Sequence, residues 1–144
     1  MGLLDDLGDL VSSGGVGGVG STSTSSGYGI FLGIMPNAPD KCVAIYESGG
    51  VAPVHAFAGA PGLAVLERPR VQVTVRADAF GYSTGRQVMN TIFKLLDGLP
   101  SRTINNTSYQ WISAVQSPFS LGMDEVNRPL ISVNFDVMKT LSSA

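Results

Sequence analysis

Asp124, Glu125 and Arg128 fall within one short polar stretch, and Asp5, Asp6 and Asp9 share one N-terminal helical pattern. Paired carboxylates can pass protons to and from a substrate, but only in a cleft that shifts their pKa values. Both groups sit among polar neighbours, so solvated faces are the expectation. A metal centre needs His, Cys or clustered acids at ligand spacing. The chain has one histidine, His55, and one cysteine, Cys42, too far apart in sequence to suggest a ligand pair. Ser83, Ser117 and Ser120 lack the Gly-x-Ser-x-Gly setting of an activated nucleophile, and no acid is evident to orient His55. The glycine-rich run Gly14 to Gly20 has no Lys-Ser/Thr after it and no strand before it, so it is not a phosphate loop. The sequence therefore predicts no catalytic residue, no cofactor-binding set and no metal site, and the chain is not expected to be an enzyme.

What remains are residues suited to contact. Arg68, Arg70 and Arg76 cluster on one extended segment. They read either as a solvated strand edge that blocks unwanted pairing or as a surface facing another subunit or a channel. His55 and Phe57 fall in a long irregular stretch of the kind that more often contacts partners than idles. With Asp124, Glu125 and Arg128 they complete the candidate interface set. Trp111 and Tyr109 have the chemistry of interface anchors, although a lone strand-borne Trp is more often core.

The element that positions the arginines is the clearest in the chain. Val71, Val73 and Val75 alternate with Gln72, Thr74 and Arg76, the period of a strand with one buried face. Pro69 at its start favours an edge position. Ile131, Val133, Phe135 and Val137 repeat the pattern. Between these, Val88, Met89, Ile92, Phe93, Leu96 and Leu99 form a helical stripe, with Ser83 as N-cap, Gly98 at the C-terminal end and Pro100 beyond. Leu3, Leu4, Leu7, Leu10 and Val11 make a first helix with its acids turned to water. Shorter strands are expected near Ile30–Ile34, Cys42–Glu47 and in a hairpin turning at Asn105-Asn106. Val51–Leu66 and Leu121–Pro129 are expected to be loops.

At 144 residues the chain suffices for one domain with a core. Charged residues make up only 14%, well below the usual quarter, which leans towards self-association. The net charge of −2 gives no general reason to bind nucleic acid. A single cysteine excludes an intrachain disulfide, no apolar run reaches membrane length, and Met1 to Val11 is acidic where a signal peptide is basic, so synthesis in the cytoplasm is expected. The predicted organisation is an N-terminal helix at 1–12, a flexible Gly/Ser/Thr segment at 13–28, one α+β domain at 29–139 and a frayed tail at 140–144. The domain should hold an antiparallel or mixed sheet of about four to five strands, with one to two helices packed on one face.

The order of motifs carries a resemblance. Gly33-Ile34-Met35-Pro36-Asn37-Ala38-Pro39-Asp40 leads into Cys42-Val43-Ala44-Ile45-Tyr46-Glu47-Ser48-Gly49-Gly50, and Glu67 to Val73 precedes a helix ending Leu95-Leu96-Asp97-Gly98. Gln116 to Gly122 and Asn127 to Asp136 close the series. Over about residues 30–138 the chain resembles the small tailed-phage proteins called minor capsid proteins, which are similar to tail terminators. The resemblance implies a virion neck protein made in the host cytoplasm. Such a protein forms a hexameric ring with its own copies on the tail tube protein and presents a surface to the head-completion or connector protein. DNA would pass its lumen without sequence-specific binding, with no membrane and no cofactor involved. The resemblance leaves open a head-side connector or stopper instead; a small ligand-binding module stands further off.

Overall fold

Val71, Val73 and Val75 are fully buried, as their alternation predicts, and so are Ile131, Val133, Phe135 and Val137 on the neighbouring strand. The computed structural model describes residues 2–20, 28–55 and 64–140. Among these, the order is α1 (Leu3–Ser13), β1 (Gly17–Val19), β2 (Tyr28–Leu32), β3 (Cys42–His55) and β4 (Ala64–Arg76). It continues with α2 (Tyr82–Leu96), β5 (Arg102–Ile104), β6 (Thr107–Ala114), β7 (Phe119–Met123) and β8 (Pro129–Thr140). The strands form one mixed sheet in the order β1-β2-β3-β4-β8-β6-β5, with β7 continuing along β8 beyond the reach of β6. β1, β2 and β3 run parallel to one another; the other pairings are antiparallel.

Both helices pack on the valine face. α1 lies on β1, β2 and β3, and α2 on β4, β6 and β8. Leu7, Val11, Met89, Ile92 and Leu96 are buried between helices and sheet, and the Phe93 ring lies 6.5 Å from that of Phe135. Gly85 belongs there for steric reasons: a β-carbon would come 2.9 Å from Ala77 Cβ. Helix α2 starts at Tyr82 with Gly81 as N-cap rather than at a Ser83 cap, because the 78–81 turn already leads into it. Its end is as expected, with Gly98 at φ 74 just past the last turn.

The sheet has eight strands, more than the four to five expected. Two strands fall outside the expected elements, β1 and β7, of 3 and 5 residues and too short to show a period; β5, of 3 residues, is the first arm of the hairpin expected at Asn105-Asn106. β7 replaces part of the loop expected at 121–129. Likewise β3 runs on to His55 and β4 begins at Ala64, where a loop from Val51 was expected. That hairpin accommodates its glycines and prolines through three register shifts. Pro69 is therefore not on an edge. It sits in a strand flanked on both sides, facing Gly50, whose missing side chain lets the Arg68 carbonyl and Pro69 Cα come close. β1 lies within the segment predicted to be flexible; residues 21–27 of that segment, Phe57 and residues 141–144 of the predicted tail lie outside the described residues.

The first helix also departs from its pattern at one acid. Asp6 is fully buried rather than solvated, and accepts hydrogen bonds from the Tyr109 hydroxyl and from Asn105 Nδ2 at 2.8 Å. The bonds tie α1 to the β5–β6 hairpin across about a hundred residues of sequence. Burial first, and the Asp6 carboxylate second, push the Tyr109 phenol pKa up, so the fold holds the protonated form. That contribution is intact below the ordinary tyrosine range near pH ~10 and is lost as pH rises through the raised value. Tyr109→Phe should cost about 1–3 kcal/mol at neutral pH and should flatten the alkaline loss of stability. Urea titrations at neutral and alkaline pH check this; superimposable curves for variant and wild type would refute it.

Candidate functional site

With both helices on one face, the other face of the sheet carries the alternate, mostly polar positions, buried in its middle and half-exposed towards Arg70 and Asp136. Its side chains come from the alternate positions Ala44 and Tyr46 on β3, Arg70, Gln72 and Thr74 on β4, and Ser132, Asn134 and Asp136 on β8. In the middle, Gln72 Nε2 donates to Ser132 Oγ at 3.0 Å, and the hydroxyls of Thr74 and Ser132 are 3.2 Å apart. These bonds satisfy polar groups that would be costly to bury alone.

One end is closed by two arginines. Arg76 donates to the carbonyls of Pro36, Pro39 and Asp40 at 2.6, 2.7 and 3.0 Å. Arg128 donates to the Asn37 carbonyl at 2.7 Å, Asp40 Oδ1 at 3.0 Å and Asp124 Oδ2 at 2.7 Å. Both are buried and pin the 36–40 turn over Cys42 and Ala44. Burial works against the Arg128 charge, but its bonds to Asp124 and Asp40 outweigh that and hold its pKa above the ordinary arginine value. Asp124 also loses hydration; the backbone N–H groups of Arg128 and Val126 and the Arg128 guanidinium outweigh this and hold it below the usual carboxylate range. Glu125 is exposed beside it. Burial pushes the Cys42 thiol up, with Arg76 and Arg128 opposing, so Cys42 is a small core residue rather than a thiolate.

The other end is open. Arg70 Nε donates to Asp136 Oδ1 at 2.7 Å in a half-exposed ion pair. Arg68 donates to the Ala52 carbonyl at 3.0 and 3.3 Å. Beside them a 220 Å³ groove is lined by Val51, Arg68, Trp111, Asp136, Val137 and Met138. A 360 Å³ cleft follows the β3 irregularity past Glu47, Gly50 and Arg70.

The candidate interface residues thus separate into two places. Arg68 and Arg70 flank the groove; Arg76, Asp124 and Arg128 hold the turn at the far end, with Glu125 next to them. The β3 backbone ends at His55, paired with Ala64. Trp111, for which the core is the commoner of two readings, is 38% exposed. A register shift between Tyr109 and Trp111 reverses the phase of β6, so Tyr109 and Ile112 point to the core and Trp111 to the groove. Nothing in the residue pattern signals that bulge. Among the described residues no group of three or more His, Cys, Asp and Glu is placed to hold a metal ion.

Such a molecule is a small α+β module with one sheet face covered by helices and half-exposed charged and aromatic side chains at the open end of the other. Its sequence matches the family described as bacteriophage tail terminator protein over residues 3–141. The chain belongs to that family, and is accordingly a phage tail structural protein and a virion component. No curated protein matches it. A solved structure whose name carries no functional description aligns with a TM-score of 0.52 at 16% identity, covering 92% of this chain and 88% of the other. At that identity the likeness speaks for the fold alone.

Replacing Arg128 with Ala should destabilise the fold by about 1–3 kcal/mol through the lost charged bonds. Because the Asp124 pKa is lowered, the stability it contributes is present above the usual carboxylate range and disappears as pH falls through the lowered value. The variant should therefore lose stability at neutral pH and show a weaker acid dependence. Thermal melts at neutral and acid pH that differ from wild type by a constant offset would contradict this.

Proposed function

We propose that this chain is the tail terminator of its phage: six copies form a ring on the last ring of tail tube protein, stop tube growth and offer the opposite side to the head-completion protein. The family match across nearly the whole chain carries the reading. Low charge supports it, as do large apolar side chains left half-exposed at both ends of the sheet, among them Trp111, Leu121 and Met123. Arg68 and Arg70 then lie at a subunit boundary or face the lumen, where DNA passes without sequence readout. The protein works in the virion neck after synthesis in the host cytoplasm.

Light scattering tests the ring, with a particle six times the 15.0 kDa chain mass expected either free in solution or on isolated tail tubes. Purified protein added to growing tubes should cap them and fix their length. Binding to filled heads with none to tubes would instead mark a head-side stopper. A strict monomer that ignores tubes would overturn the ring.

A further inference from the structure

We infer that neighbouring copies meet head to tail, the Trp111 groove of one copy receiving the Leu121–Val126 corner of the next, with Arg68 opposite Glu125. This rests on the ring reading above and names the two surfaces that would close it. The groove offers Trp111 at 38% exposure and Val51 at 55%, with Met138 along its floor. The corner, formed by the end of β7 and the turn after it, offers Leu121 at 49%, Met123 at 52% and Val126 at 56%. Exposed apolar side chains gathered at two separate places are a usual mark of contact surfaces, and Trp and Arg are both among the residue types enriched at their energetic centres.

Charge decides how the two surfaces pair. Arg70, Arg128 and Lys139 each have a carboxylate within the chain. Among the described residues, Arg68 bonds only a backbone carbonyl, and Glu125 makes neither a hydrogen bond nor an ion pair. A two-fold contact through the groove would bring Arg68 towards Arg68, and one through the corner would bring Glu125 towards Glu125. A head-to-tail contact sets Arg68 against Glu125 instead, while the groove's own Asp136 is already paired with Arg70. The surfaces also lie at opposite ends of β8, the groove at Asp136–Met138 and the corner beside Pro129. Seven to nine residues of strand separate them, about 23–30 Å at a rise of ~3.3 Å per residue. A contact between different surfaces of identical chains repeats around an axis and closes as a ring when the rotation permits.

The chain has a single tryptophan, so assembly reports on itself. Emission should shift to the blue, and acrylamide quenching should fall, as the full-length protein is concentrated or mixed with tail tubes. Arg68→Glu and Glu125→Arg should each raise the concentration needed for assembly by roughly tenfold or more. The double variant Arg68→Glu/Glu125→Arg should return towards wild type, with near-UV circular dichroism confirming that every variant is folded. Wild-type assembly by either single variant, or a double variant no better than the singles, overturns this groove-to-corner pairing while the ring stands. A wild-type protein that never assembles, alone or on tubes, removes the ring and this pairing together.

Discussion

The antiparallel register between β4 and β8 is the constraint from which the rest of the molecule follows. It pairs Val73 with Val133 and Val75 with Ile131, and on the opposite face Thr74 with Ser132 and Arg70 with Asp136. Side chains alternate with period two, so a slip of one residue would send every valine to the outer face and every polar partner into the core. The helices can cover only the apolar side, because only that side offers them Val, Ile and Phe to pack against. The contact residues are therefore collected on the other side by the same register. Fold and candidate surface are two consequences of one pairing.

The outer face is not uniform, and the difference between its ends is electrostatic. A cation removed from water stays charged only when oxygen acceptors replace its hydration. Arg76 and Arg128 each reach three or more such acceptors, most of them in the 36–40 turn. They convert an irregular connection between two parallel strands into a fixed cover. At the other end Arg68 has one carbonyl and Arg70 one half-exposed carboxylate, so solvent still reaches them. One end is a built part of the fold, and the other keeps its surface available.

Much of this was readable in the residues. The two long strands, both helices and the Asn105-Asn106 turn follow from local pattern, and that turn has the positive φ at both residues that a tight hairpin requires. The features that escaped depend on contacts between distant residues. Asp6 belongs to a charged helix face by spacing, and only the arrival of Tyr109 and Asn105 gives a reason to bury it. Arg76 alternates as a surface residue, yet the turn folds back over it. Trp111 keeps the spacing of a core residue beside Tyr109, and a single bulge moves it to the outside. β7 exists because β8 outruns β6 and leaves an edge to pair; five residues with one glycine could not announce that. In each case a neighbour far along the chain overrides the local preference.

The same contacts explain how so few charges serve this protein. Of the 9 basic and 11 acidic residues, several are committed internally: Arg70 with Asp136, Lys139 with Glu67, and Arg128 with Asp40 and Asp124. Lys139 and Arg128 are buried as well. The surface is consequently poorer in charge than the composition suggests, while Phe80, Ile34, Val51, Leu121, Met123 and Val126 stand out into solvent. A monomer gains nothing from that distribution, since exposed apolar groups invite association without rewarding it. A subunit of a larger structure gains directly, because each such group becomes buried when its neighbour arrives. For a chain of the tail terminator family, charge held inside and apolar groups held outside fit the proposal that other subunits complete the surface.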